Sequence, residues 1–103
     1  MIIKIIEGDM MSIQVNEGNH KFYIGDDAQA PDAEITYTFV DAHTIDVNHT
    51  FVDPSLRGHG VAKQLFNAVI KKAQEEDLKI IPSCSYVHAQ FERDASLAHL
   101  KKS

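Results

Sequence analysis

The sequence predicts an α+β fold: a mixed β-sheet of four or five strands with one main helix packed on it, then one or two short C-terminal helices. Three observations carry that expectation. Residues 34–40 and 44–52 alternate apolar and polar side chains, the period-two pattern of half-buried strands. From residue 61 the period lengthens: Val61, Leu65, Val69 and Ala73 recur at four-residue spacing beside Ala62, Phe66 and Ile70, as on the inward face of a helix. Between the two patterns stands the glycine-bearing turn Arg57-Gly58-His59-Gly60.

The elements follow in order. Residues 1–18 form an N-terminal extension or an edge strand. Ile2, Ile3, Ile5 and Ile6 suit a strand, while Met11 offers an alternative start. Residues 19–103 make the domain proper. Lys21–Ile24 reads as a strand ended by Gly25, and a polar loop runs on through Pro31-Asp32. The next strand places Ile35, Tyr37 and Phe39 on the core face. After a turn at 41–43, the following strand groups Ile45, Val47, His49 and Phe51 on one face, so three strands form an antiparallel meander.

A helix is expected from about Gly58 to Glu76, where Asp77 breaks the pattern. Leu78–Ile81 then reads as a buried strand, and strand–helix–strand implies parallel pairing with residues 44–52. Pro82 lacks a donor and should interrupt that ladder. Ser85 is expected to cap a helix over Tyr86–Arg93 with Val87 and Phe91 inward, and a further helical turn should cover Ser96–Leu100. Lys101 and Lys102 read as a solvated tail.

Composition narrows the function classes. The 103 residues suit one domain, and 44% hydrophobic content supports a modest core without disulfides. A formal charge of −5 argues against nucleic acid as a partner. Cys84 is the sole cysteine, and six scattered histidines without a cysteine pair argue against a metal. No apolar run reaches the ~20 residues of a membrane span, so a cytoplasmic protein with no membrane partner is expected.

The glycine turn admits two readings. A helix N-terminus leaves several N–H groups free and carries partial positive charge, so it can hold a phosphate or pyrophosphate. Glycines at 58 and 60 would let an anion approach. Alternatively, the two glycines merely turn a strand into a helix. The stretch is neither G-x-G-x-x-G nor a Walker P-loop, so dinucleotide binding and nucleotide hydrolysis gain no support.

The meander, the R-G-x-G-x-A turn at a long helix, His49-Thr50 ahead of it and Pro82-x-Cys84 after the next strand together resemble the small single-domain branch of the GNAT acetyltransferase superfamily. The resemblance covers about residues 20–100. It implies a minimal GNAT-like sheet and acetyl-CoA as co-substrate, with Arg57, Gly58, His59, Gly60, Val61, Ala62 and Lys63 around the pyrophosphate. It also implies that strands 44–52 and 78–84 splay, with backbone near Phe51 and Val52 facing the pantetheine and acetyl group. Larger GNAT enzymes carry helices between their first two strands, where this chain has only the loop 25–33, so the acceptor pocket is open or borrowed from a partner chain. A tyrosine acid of the family finds only Tyr86 nearby, with Gln90 where relatives of this branch place tyrosine.

Two residues are the candidates for catalysis. Cys84 lies between a strand and a helix, where a helix N-terminus favours a thiolate that could accept the acetyl group. The alternative is a small buried hydrophobe. His49 could deprotonate an incoming ammonium or activate Cys84, or serve as a hydrogen-bonded core residue. His88 stands second to it. Glu34 and Asp46 are strand carboxylates that could serve as base or hold the ammonium, or belong to the surface. The expected activity is N-acetylation of an unidentified primary amine, by direct attack or through acetyl-Cys84, with a backbone amide near Val52 holding the oxyanion. The alternative is a CoA-binding sensor or interaction module with little turnover. The state of association is expected to be monomer or homodimer, since an exposed edge strand can pair two chains.

Overall fold

The computed structural model describes residues 14–102. Five strands form one sheet in the order β1 (Asn16–Gly18), β2 (Lys21–Ile24), β3 (Ala33–Asp41), β4 (Thr44–Val52) and β5 (Lys79–Pro82). Neighbours are antiparallel except β4 and β5, which run parallel through the helix α1 (Val61–Glu76). A second helix, α2 (Ser85–Arg93), follows β5, and 3-10 turns occupy Pro54–Leu56 and Ala95–Leu100. The isoleucine-rich start lies outside the described residues. The edge strand that is described is Asn16–Gly18.

One face of the sheet carries the core. Ala33, Ile35 and Tyr37 of β3 and Ile45 and Val47 of β4 are buried against Val61, Leu65, Phe66, Val69, Ile70 and Ala73 of α1. The helical stripe therefore lies on the period-two stripe. No described helix covers the opposite face, where Lys21 and Tyr23 of β2, Glu34, Thr36 and Thr38 of β3 and Asp46 of β4 stand. Phe39 departs from the expected core and is 43% exposed. Pairing of β2 with β3 ends at Lys21↔Thr36, so Phe39 has left the shelter of β2, with the His20 ring 5.9 Å away.

The face assignment of β4 also changes along its length. Thr36 pairs with His49, but Tyr37 pairs with Val47, so Asn48 is an extra residue in β4. Such a β-bulge reverses the alternation beyond it. Thr50, opposite the buried Ile35, and Val52, opposite Ala33, return to the core face. His49 and Phe51 move to the uncovered face. The expectation that His49 and Phe51 share a face with Ile45 and Val47 is thus corrected.

Three boundaries differ as well. The glycine turn is not helical: α1 begins at Val61, with Gly60 in the left-handed region before it. The residue flanking α2 is Cys84, not Ser85, and no side chain caps that helix. Cys84 has extended geometry because its N–H still belongs to the sheet, donating to the Val47 carbonyl at 2.9 Å. Its own carbonyl accepts from His88 N–H at 2.9 Å, so the sheet's last bond and the helix's first meet on one residue. The basic tail is also anchored. Lys101 bridges Ile80 in parallel and Lys102 N–H donates to the Ile80 carbonyl, while both lysine side chains are exposed.

Candidate active site

Parallel pairing of β4 with β5 covers only Thr44–Val47 against Lys79–Pro82. Pro82 offers no N–H, and the chain then turns into α2, so the two strands part. The second half of β4 keeps its bonds to β3. Asp53 N–H donates to the Asp32 carbonyl at 2.8 Å, and Phe51 and His49 pair with Glu34 and Thr36 on the same ladder. Alternation then turns the backbone groups of Thr50 and Val52 toward the side that β5 has left. The backbone of Phe51 faces β3. Thr50 thus joins Val52 on the open side, a consequence of the bulge that the sequence pattern did not signal.

Beyond the parting lies an open groove of about 290 Å³, lined by Val52, Leu56, Arg57, Gly58, Gly60, Val61, Ala62, Lys63 and Tyr86. Phe51 and His59 are exposed and outside its lining. Gly58 and Gly60 have φ of +88° and +74°. A Cβ at either would meet nothing within 4 Å, so glycine is required here by backbone sign rather than by crowding. The first bond of α1 is Gln64 N–H to the Gly60 carbonyl at 3.1 Å. The N–H groups of Val61, Ala62 and Lys63 precede it, with no side-chain cap and no acidic residue in the first turn. The positive end of the helix dipole is therefore uncompensated by its own turn, an arrangement that fits a phosphate group.

The charged side chains around this turn also bond to the protein. Arg57 Nε donates to the Val52 carbonyl at 3.3 Å, tying the turn to the end of β4. Lys63 Nζ donates to Oε1 of the buried Gln90 at 2.9 Å and lies 5.6 Å from the Phe66 ring centre. Asp53 accepts from the Ser55 N–H and hydroxyl, and these bonds hold its carboxyl below the usual carboxylate range.

Cys84 is half-buried at the parting of the strands, and its Sγ lies 3.2 Å from the Thr50 hydroxyl. His49 is on the other face of the sheet. Its side chain is 56% exposed, and Nε2 lies 4.0 Å from Oε2 of Glu34, whose other oxygen pairs with Lys21 at 3.0 Å. The structure therefore brings Thr50, and not His49, to the thiol. His88 lies on the exposed side of α2, 3.9 Å from Glu92. Asp46 Oδ1 is buried without a partner among the described residues. Tyr86 faces the glycine turn across the groove and packs edge-on against Phe66. Burial raises its phenol above the ordinary tyrosine range, so it remains a proton donor at neutral pH. The resemblance offered Tyr86 as the tyrosine nearest the site, and its place in the groove follows from how α2 packs on Phe66.

The sequence matches the family described as GCN5-related N-acetyl-transferase over residues 21–100, and the chain belongs to that family. A GCN5-like protein from Staphylococcus aureus, solved in solution by NMR, is 42% identical to it. That likeness has a TM-score of 0.74 and covers 91% of this chain and 92% of the other. A GNAT family acetyltransferase from Elizabethkingia anophelis with acetyl-CoA bound shares the fold at a TM-score of 0.50 and 17% identity, over 71% of this chain and 50% of that one. Protein NATD1 of Xenopus tropicalis is 33% identical over 70 residues, and the mouse protein 31%. Those matches span 68% of this chain and 64% of each relative, just under two-thirds of the relatives' length. No helix among the described residues is long and apolar enough to cross a membrane.

Proposed function

We propose that this protein transfers the acetyl group of acetyl-CoA to a primary amine. The observation that carries the reading is the continuity of the site. Val52, on the open edge of β4, lines the groove beside the free N–H groups at the start of α1, and Thr50, two residues earlier on that edge, has its hydroxyl 3.2 Å from the Cys84 sulfur. The pyrophosphate binds at the backbone of residues 57–63. The pantetheine amides pair with the backbone of Thr50 and Val52, which brings the thioester to the parting.

The amine approaches from the uncovered face, where His49 takes one proton from the ammonium. In the direct route the amine nitrogen bonds to the carbonyl carbon and the carbon–sulfur bond to CoA breaks. Tyr86 gives its proton to the departing CoA sulfur, and the second proton shed by the nitrogen as the amide forms restores the phenol. In the two-step route the Cys84 sulfur takes the acetyl group first and CoA leaves as the thiol. The amine then displaces the Cys84 sulfur. One observation favours a second reading, a CoA-binding module with little turnover: among the described residues no helix builds an acceptor pocket over the face that carries His49.

The test is an intact mass after mixing the protein with acetyl-CoA and no acceptor, beside Cys84→Ala. A gain of one acetyl group, lost in the variant, supports the two-step enzyme. CoA retained in a native spectrum without that gain leaves direct transfer or the binding module, which an amine panel with detection of released CoA thiol separates. No retained CoA refutes the reading of the glycine turn.

A further inference from the structure

We propose that Thr50 is the positioning residue for the Cys84 thiol, a role that rests on Cys84 accepting the acetyl group in the two-step route. The backbone of Cys84 is held on both sides, by its N–H to the Val47 carbonyl and by its carbonyl from His88 N–H, each at 2.9 Å. Only rotation about Cα–Cβ then decides where the sulfur points. The Thr50 hydroxyl, 3.2 Å from that sulfur, selects the rotamer aimed at the parting of β4 and β5.

The position of Thr50 makes the pairing informative. It stands on the core face of β4 opposite the fully buried Ile35, where alternation calls for an apolar side chain. Its hydroxyl is partly buried there, and the thiol is its hydrogen-bond partner. Either group can donate while sulfur is protonated, but once it is a thiolate only the hydroxyl can. The contact therefore strengthens as the nucleophile forms and orients it along the approach to the thioester. When the Cys84 sulfur bonds to the acetyl carbon, the bond to the CoA sulfur breaks. The proton given up by Cys84 goes to solvent, and CoA takes one up, so thiol and thioester exchange without other reactants.

The experiment compares the wild type with Thr50→Val and Thr50→Ser. Thr50→Val keeps the β-branched shape that suits a strand and removes the hydroxyl, while Thr50→Ser keeps the hydroxyl. Thr50→Ala serves as a second hydroxyl-free variant should valine disturb folding. Two rates are read at pH 7 on folded protein: alkylation of Cys84 by iodoacetamide, and acetyl-Cys84 formation from acetyl-CoA by intact mass. Loss of a hydrogen bond to a charged sulfur corresponds to about a tenfold fall in both rates for valine or alanine, with serine close to wild type. Equal alkylation in wild type and valine variant overturns the proposal, as does a serine variant as slow as valine. If Thr50 controls alkylation while the wild type forms no acetyl-Cys84, the two-step reading fails and with it this role in acetyl transfer, whereas the alkylation result alone still registers the contact.

Discussion

Gly60→Ala isolates what the glycine turn demands of the chain. Gly60 has φ of +74° and ψ of +19°, and its carbonyl accepts the first bond of α1. A Cβ there meets no atom within 4 Å, so the substitution adds no clash, and the cost is that of a left-handed conformation, roughly 1–2 kcal/mol for an L-residue. For a domain of this size each kcal/mol lowers the melting temperature by about 4–8 °C. Gly60→Asn should recover part of that loss, because asparagine tolerates the left-handed region. The assays are thermal unfolding followed by circular dichroism and calorimetric titration with CoA on the folded variants. If the turn holds the pyrophosphate, alanine weakens CoA binding as the backbone shifts to relieve φ, and asparagine weakens it less. An alanine variant that melts with the wild type and binds CoA equally well would refute both the required backbone sign and the anion site built on it.

Two further outcomes follow from packing and burial. Phe66 is 1% exposed and meets both Tyr86 and Phe91 of α2 edge-on. Phe66→Ala should cost about 3–5 kcal/mol in chemical denaturation and loosen α2 over the groove, which hydrogen exchange at α2 would register as lost protection. Burial raises the phenol pKa of both Tyr37 and Tyr86. The unfolded chain then gives up these protons at lower pH than the folded one, so stability present below about pH 10 declines as pH rises through the folded values. Denaturation midpoints taken from pH 8 to 11 should fall above pH 10, and less steeply in Tyr86→Phe; a flat profile there contradicts the burial argument.

Much of this architecture was legible from periodicity. The alternation at 34–40 and 44–47 and the stripe from Val61 to Ala73 each bury one face, and both faces meet in the core. Pro82 marked the end of the parallel ladder because a missing donor is a local property of the residue. The glycine turn was legible as a junction between two periods, and the groove lies against it. Motif spacing also pointed to the family, which the match over residues 21–100 bears out.

What periodicity missed arises where one chain segment answers to another. Asn48 carries no signature of an extra residue in β4, since a bulge exists only relative to the strand it is paired with. That single displacement sends His49 to the uncovered face and Thr50 toward Cys84. Phe39 alternates like its neighbours, and only the reach of β2 leaves it exposed. The N-flank of α2 passed to Cys84 because the sheet claims its N–H through Val47.

The sequence by itself determined the class of fold, the order of its elements and the location of the glycine turn, because these depend on the spacing of side chains along one segment. Only the tertiary structure decided which residues share the parting of β4 and β5. Register across strands and the packing of α2 are set by contacts between segments distant in the chain, and a one-residue shift in register exchanges the two faces of a strand.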